Sequence, residues 1–240
     1  MKKITVILFS ILWGAISTLA TGQMPDWVIY NGKYYRLYSV PLETYFDKYP
    51  AKKPSSATVS SALHRGYIAT FNISNAVMTV KDIQIETMEK NEDGNTNFGF
   101  KSEMNKFVQS GGSKEMGWFS GILVLPHGDF IANIGYSNFI LLEIANGTLT
   151  REKIFSAEQH KAFKAEQYKK LKKSDFYKQA FDKLAEQGIS PEYRDGFIQR
   201  NILSVIPKFI DEGNLPNQKL DPTVITPVES GKAQGTAGQL

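Results

Sequence analysis

Apolar and polar side chains alternate along much of the chain before residue 155, which is the pattern of half-buried β-strands. In GYIATFNI, one face carries the alternate residues Tyr67, Ala69, Phe71 and Ile73. In the returning stretch, the apolar parity changes between Val80 and Ile83. Because a one-residue phase change would turn the side chains over, we predict a bulge near Lys81 and Asp82.

Two Asn-Gly dipeptides, at residues 31–32 and 146–147, predict tight hairpins because both residue types tolerate the positive φ of a two-residue turn. Between them, WFSGILVL is apolar on both parities, which predicts a central strand covered on both faces. The stretch PHGD, residues 126–129, predicts a turn. The polar residues 88–116 predict a long connection with one amphipathic piece, SEMNKFV.

The periodicity changes to that of helices at Ser156. A serine followed three residues later by Gln159 is a capping-box signature, so a helix is predicted from here to Lys173. Residues 176–185 place their apolar side chains in one stripe, and Gly188 suits the position just after the end of a helix. These features predict two consecutive helices.

A third helix is predicted to begin at Pro191, after Ser190 as N-cap, and to kink or end at Pro207. The whole pattern predicts an α+β protein with seven to nine mostly antiparallel strands, in a sandwich or partly open barrel, followed by two or three helices. The predicted boundaries are residues 1–22 for a signal peptide, 23–155 for the antiparallel β-domain, 156–212 for the helical segment and 213–240 for a flexible tail.

The first residues predict export. Lys2 and Lys3 precede an apolar run over residues 4–20, and small residues follow near its end, as in a secretory signal peptide. An uncleaved membrane anchor is the alternative, but the run is near the short end of the ~17–25 residues that span a bilayer. The sequence therefore predicts a protein of the periplasm or the exterior, with no stable transmembrane segment after cleavage.

The composition of the chain argues against some kinds of chemistry and some classes of partner. The chain contains no cysteine, so neither disulfides nor thiolate chemistry is available to it. Removal of Lys2 and Lys3 would lower the formal charge from +4 to +2, which gives no general case for nucleic acid as a partner. An aromatic content of 12% favours a packed core over disorder.

An acid–base site is one hypothesis for the histidines. His64, beside Arg65, and His127, near Asp129, both stand at predicted strand ends where loops could converge, and histidine moves protons near neutral pH. The alternative is that both are turn or core-edge residues. No nucleophile elbow or phosphate loop accompanies them.

A calcium loop is a second hypothesis, because Asp93, Asn95 and Asn97 have the oxygen spacing of such loops. However, Phe98 stands where a glycine is needed and Met104 where a bidentate glutamate is needed. An Asn/Gly hairpin loop is the alternative, and no metal or other cofactor is predicted.

Charge and aromatic content suggest binding. From Arg151 to Lys173 there are eight basic and three acidic residues, a face that could meet an acidic partner, an anionic surface or a glycan, or could simply be solvated. Aromatic residues crowd the segment 27–46 and could form an exposed binding row or part of a large core; they are Trp27, Tyr30, Tyr34, Tyr35, Tyr38, Tyr45 and Phe46. The candidate binding residues are Tyr34, Tyr35, His64, Arg65, Trp118, His127, Asp129, Lys169, Lys170, Lys172 and Lys173.

The stretches WVIYNGKYYRLYSVPLE, SALHRGYIATFNI, GWFSGILVLPHGDF and FILLEIANGTLTREKIF resemble a group of small exported bacterial β-rich proteins. The resemblance spans about residues 26–170, and it carries over no catalytic or binding residue. The sequence as a whole predicts a non-enzymatic binding protein of the envelope or exterior that engages a protein partner, for example as an inhibitor or immunity protein. The alternative is a hydrolase of envelope glycans with carboxylates that the sequence does not pair.

Overall fold

The computed structural model describes residues 23–54, 60–90, 93–108, 114–132 and 135–211. The predicted signal peptide and flexible tail lie outside these residues. The strands are β1 Asp26–Tyr30, β2 Lys33–Leu37, β3 Ile68–Ser74, β4 Val77–Lys90, β5 Thr96–Ser102, β6 Gly121–Ile131, β7 Gly135–Ala145 and β8 Thr148–Ser156. The helices are α1 Pro41–Lys48, α2 Met104–Phe107, α3 Ala157–Leu171, α4 Asp175–Glu186, α5 Pro191–Arg200 and α6 Ile202–Val205.

The predicted α+β class is confirmed. Eight strands form one open sheet in the order β2-β1-β3-β4-β8-β7-β6, and β5 pairs with β4 beside this path. All pairs are antiparallel except β1 with β3, which is parallel, so the sheet is mixed. Within the described residues, no helix combines the length and the apolar character needed to cross a membrane.

Two apolar cores lie on opposite faces of β6 and β7. Leu123 belongs to the inner core, which the curled sheet encloses with α1 and α2, whereas its neighbour Ile122 belongs to the outer core beneath α3–α6. This explains why WFSGILVL is apolar on both parities, and its predicted coverage on both faces is confirmed. Its predicted central position is wrong, because β6 is the last strand of the path. Helices cover the outer face of β6, so this last strand is buried on both faces although it has a neighbouring strand on one side.

The predicted hairpins and bulge are confirmed. Asn31 and Asn146 have φ of 50° and 49° in the β1–β2 and β7–β8 turns. In the β3–β4 pair, Thr70 lies opposite Asp82 but Phe71 lies opposite Val80, so one extra residue, Lys81, is accommodated there. Both apolar parities of β4 therefore reach the same inner core.

The predicted long connection over residues 88–116 is wrong in its first half. β4 continues to Lys90 and returns as β5, while the amphipathic piece forms α2 as expected. All seven residues of β5 are exposed. A hairpin with both faces in solvent has no buried face to mark it in the sequence, which is why the pattern suggested a connection.

The predicted turn at PHGD is also wrong. β6 runs through these residues and absorbs a register shift between His127 and Phe130. Gly128 has a φ of 80° and its α-carbon lies against Ser137 and Asn138, so an added Cβ would approach their side chains to 2.3 and 2.7 Å. Glycine therefore provides a bulge inside a strand rather than a turn between strands.

The helices begin and end largely as predicted. Ser156 and Gln159 form a complete capping box at α3, and Gly188 has a φ of 79° just after α4. Pro191 is the first residue of α5, and α6 ends at Val205, before Pro207. Residues 207–211, which we call the strap, then cross back to the sheet.

Candidate functional site

One part of the outer sheet surface lies away from the helical layer. Val28 and Tyr30 point into the inner core, so the alternating Trp27 and Ile29 of β1 lie on the outer face. Trp27 lies directly opposite Arg36, and Ile29 lies directly opposite Tyr34 on β2. Paired residues share a face, so these four side chains form one patch, which we call the aromatic face. It consists of Trp27, Ile29, Tyr34 and Arg36.

The aromatic face is positively charged; Tyr34 and Arg36 are exposed, and Trp27 and Ile29 are half-buried. Tyr34 is 61% exposed, and Lys81 from the β4 bulge lies over its ring at 5.7 Å from the centroid. Arg36 donates a hydrogen bond to the hydroxyl of Tyr136 at 3.1 Å. Phe130, also exposed, packs edge-on against Tyr136 with ring centroids 5.4 Å apart. The face therefore continues from β2 across to the end of β6, the other end of the strand order.

Tyr35 and His127 lie beside this surface but on the inner side. Tyr35 packs against the inner core, and its ring meets the His127 ring edge-on with centroids 6.0 Å apart. Asp129 is exposed at the β6 bulge, where its backbone amide donates a hydrogen bond to the Ser137 hydroxyl oxygen at 3.1 Å. The structure thus separates Tyr34 from Tyr35, as expected of neighbours on a strand.

Arg65 enters a buried polar cluster. Its Nη2 donates to Asp26 Oδ1 at 2.6 Å, and the Ala69 amide donates to the same oxygen at 2.7 Å. Asp26 is fully buried, and its Oδ2 has no hydrogen-bond partner among the residues that the structure describes. Burial raises the pKa of Asp26 to about 7, although the Arg65 charge and the Ala69 amide oppose that rise.

The same cluster contains a second carboxylate. Glu43 of α1 accepts a hydrogen bond from the Tyr67 hydroxyl at 2.7 Å and pairs with Lys53 at 2.8 Å. Burial, followed by the charges of Asp26 and Glu43, raises the pKa of Tyr67 well above its ordinary value. Asp26 and Glu43 were not among the predicted site residues, because no local spacing in the sequence connects the first residue of β1 with a residue of α1.

His64 lies at the edge of that cluster. It follows the short 3-10 turn Ser61–Leu63, its side chain is exposed, and its backbone amide donates to Gln23 Oε1 at 3.2 Å. His127 Nδ1 lies 3.5 Å from the Leu125 carbonyl oxygen. Each histidine therefore has its own surroundings, and a shared proton role for the two stays a hypothesis. In the described parts of the chain, no group of three or more His, Asp and Glu side chains could hold a metal ion.

Trp118 takes part in the packing of the inner core. Its ring lies 5.1 Å from that of Tyr45 and 6.1 Å from that of Phe119, measured between centroids. Tyr45 in turn packs on Phe107 of α2. These contacts favour a structural role for Trp118, at the margin of a stacked aromatic group.

The predicted basic face is partly neutralised within the chain. Lys170 pairs with Glu166 at 2.5 Å and donates to the Ile210 carbonyl at 3.2 Å. Lys172 lies 3.5 Å from Asp195, while Lys169 and Lys173 are exposed. Two of the four predicted lysines therefore have internal partners.

Asp195 joins three helices. The hydroxyls of Tyr168 and Tyr177 both donate to Asp195 Oδ1, and Lys172 lies over both rings at 5.4 and 5.6 Å. Burial, followed by these hydrogen bonds, raises the pKa of both tyrosines to about 12. The bonds hold α3, α4 and α5 together.

Comparison of the chain with protein-family models, curated proteins and solved structures finds no match. The predicted resemblance to exported bacterial proteins therefore stays a prediction. Two surfaces contrast in exposure: the aromatic face presents Tyr34, which is 61% exposed, whereas Asp26 in the buried polar cluster is fully buried.

Proposed function

We propose that this protein is an exported, non-enzymatic binding protein that engages a protein partner through the aromatic face. The observation that carries the proposal is the placement of Trp27, Tyr34 and Arg36 together on an outer sheet surface away from the helices. Tryptophan, tyrosine and arginine are the residue types that most often dominate the binding energy of protein interfaces. Their side chains combine a large apolar area with polar groups that fix orientation.

The charge around the face indicates the chemistry of the partner. Arg36 and the exposed Lys81 both lie beside Tyr34, at the rim of the apolar patch. A partner that presents carboxylates around an apolar centre would complement this arrangement. Because rim charges act mainly through long-range attraction, association with such a partner should slow and weaken as salt rises.

The alternative function, a glycan hydrolase, has less support than the binding function. Its candidate carboxylates are Asp26 and Glu43 of the buried polar cluster. Asp26, with its raised pKa, has the protonation of a general acid, and Glu43 is a second carboxylate near it. However, a general acid must reach the glycosidic oxygen within hydrogen-bond distance. Asp26 has no exposed surface and is fixed to Arg65 and Ala69, so a glycan has no access to it in this conformation.

The test is affinity purification from the native envelope fraction, followed by titration of the purified partner. Replacement of Tyr34 by Ala, with Arg36→Ala as a second variant, should weaken binding at least about tenfold, as expected of interface anchors. The matched control is Tyr193→Ala, a tyrosine that is 65% exposed on α5. A stoichiometric partner that binds the wild type and both Tyr34 and Arg36 variants equally would exclude the aromatic face. Absence of any stoichiometric partner would overturn the proposed function.

A further inference from the structure

The β4–β5 hairpin carries a second apolar surface. Met88, Phe98 and Phe100 are 51%, 74% and 49% exposed. Met88 lies directly opposite Phe98, and Phe100 is two residues further along β5, so the three side chains share one face of the hairpin. Large apolar side chains grouped in this way are typical of interaction sites rather than of ordinary solvent-exposed surface.

The outer edge of β5 lacks the features that usually protect a sheet edge. In the described part of the chain, β4 is the only strand that pairs with β5. Free edges are normally protected by proline, by bulges or by several charged side chains. β5 contains no proline, pairs with β4 in continuous register, and carries a single charged residue, Lys101. None of the other described strands therefore occupies the outer edge of β5, where another strand could pair.

The sequence of β5 is nearly symmetric about Gly99. Phe98 and Phe100 flank the glycine, and polar residues follow on each side: Thr96 and Asn97 before, Lys101 and Ser102 after. In an antiparallel pair of identical strands related by a two-fold axis at Gly99, Phe98 of one copy lies opposite Phe100 of the other. Lys101 then lies opposite Asn97 rather than opposite another lysine, so no like charges meet.

Neither the backbone conformation of Gly99 nor its packing against the described residues requires a glycine. Its φ is not positive, and an added Cβ would meet only Thr87 Oγ1, at the ordinary distance of 3.5 Å. Glycine inside a strand weakens it and often marks a place where another backbone approaches closely. A glycine at the centre of a self-complementary strand agrees with close approach of a second copy.

From these observations we infer that the protein forms a two-fold symmetric dimer through antiparallel pairing of β5 with β5 of a second copy. The two hairpins then make one four-stranded ribbon, and one of its faces carries Met88, Phe98 and Phe100 of both copies. A second copy fits this edge better than an unrelated strand, because the near-symmetry about Gly99 complements itself. The dimer leaves the aromatic face on other strands, so the two surfaces are independent.

Cysteine placement tests the register directly, since the chain has no cysteine of its own. Directly opposite residues of an antiparallel pair have Cα atoms about 4.5–5.5 Å apart, within the range that a disulfide spans. Gly99→Cys should therefore give a disulfide-linked dimer under mild oxidation. Lys101→Cys is the matched control: its two copies would be about 14 Å apart at ~3.4 Å per residue, too far to be joined. Equal cross-linking of both variants, or of neither, would overturn the proposed register.

The dimer itself is tested by sedimentation of the protein expressed from the full chain. We expect the wild type to sediment at twice the mass of the monomer, and Phe98→Asp with Phe100→Asp to weaken dimerisation by about tenfold or more. Ile154→Asp, which alters a residue 65% exposed on β8, should leave the dimer intact.

A wild type that stays monomeric at all concentrations overturns the proposal, as does a dimer that the Phe98 and Phe100 changes do not weaken. Binding of a partner to the aromatic face should be unaffected by these changes, which distinguishes failure of this inference from failure of the proposed function.

Discussion

Arg65 donates to Asp26 across 2.6 Å, so the arginine that follows His64 is directed into a buried ion pair. Asp26 begins β1, and the Ala69 amide that also binds it belongs to β3. The carboxylate therefore ties together the only parallel strand pair among the described strands. A buried carboxylate with one oxygen unpartnered is costly when ionised, which is the physical reason for its raised pKa.

The stability of the fold should depend on pH through Asp26. Between its unfolded pKa of 3.8 and its folded pKa of about 7, the folded state keeps a proton that the unfolded state has released. The stability contributed by this proton is present in full below pH 4 and is lost as the pH rises to 7, by up to about 3–4 kcal/mol. Asp26→Asn should remove that loss.

Urea denaturation at pH 4 to 8 measures this effect. Asp129→Asn is the control, because its side chain is exposed on the β6 bulge and its loss should leave the pH profile unchanged. An Asp26→Asn protein whose stability still falls between pH 4 and 7 as steeply as that of the wild type would show that another group is responsible.

Much of the fold was predictable wherever one strand face is buried. The β3–β4 bulge followed from the parity change on either side of Lys81, because burial of one face fixes register. The hairpin turns at Asn31 and Asn146 were predicted from the Asn-Gly dipeptides alone, because both residue types tolerate the positive φ that these turns have. In contrast, β5 has no buried face, and the path of β6 through Gly128 depends on contacts with Ser137 and Asn138 that no local pattern reveals.

The candidate sites were less predictable, because their residues come together only through the fold. Tyr34 was identified from the tyrosine-rich segment, but its neighbour Trp27 could be placed beside Arg36 only once the register of β1 and β2 was known. Arg65 was identified without its partner, Asp26, which is 39 residues away in the chain. The alternation of apolar and polar residues along a strand predicts the face of the sheet on which a side chain lies. It does not predict which distant segments of the chain are in contact, because these contacts form only in the tertiary structure.

Gly147 should be among the least replaceable residues of the sheet. Its φ is 75°, and an added Cβ would lie 2.7 Å from the backbone carbonyl carbon and oxygen of Met116. We expect Gly147→Ala to destabilise the protein by about 3 kcal/mol, through backbone strain and displacement of the Met116 segment. Gly32→Ala is the matched control, because Gly32 has a φ of 73° but nothing within 4 Å of its added Cβ. It should cost about 1 kcal/mol in urea denaturation, and equal losses in the two variants would contradict the role of the Met116 contact.

Glu143 should hold the strap on the sheet. It is buried, accepts a 2.6 Å hydrogen bond from Arg151, and accepts the Phe209 amide at 2.7 Å. Glu143→Gln removes the negative charge that pairs with Arg151. We expect the free energy of unfolding to fall by about 2 kcal/mol and hydrogen exchange of the Phe209 amide to become faster. Asp211→Asn is the control: Asp211 also pairs with Arg151, but its side chain is 51% exposed, so its loss should cost at most about 0.5 kcal/mol. Unchanged exchange at Phe209 in Glu143→Gln would exclude this role.

His160 should act in the opposite direction to Asp26. Its ring stacks on Phe139 at 4.1 Å between centroids, and its buried Nε2 has no hydrogen-bond partner in the described part of the chain. Burial, assisted by the Lys164 charge, lowers the pKa of His160 to about 4. Between pH 6.5 and 4, His160 binds a proton in the unfolded state but stays neutral in the folded state. Its contribution to the free energy of unfolding is therefore complete above pH 6.5 and is lost as the pH falls to 4. The partial exposure of the ring reduces the expected loss to about 1–2 kcal/mol.

His160→Phe keeps the stacking and should remove this loss, so the variant should gain stability relative to wild type at pH 4.5 and little at pH 7.5. Because the Asp26 and His160 effects oppose each other over the same pH range, the wild-type stability should fall less steeply with rising pH than that of His160→Phe, which keeps only the Asp26 effect. A wild-type profile as steep as that of His160→Phe would show that the two groups do not compensate.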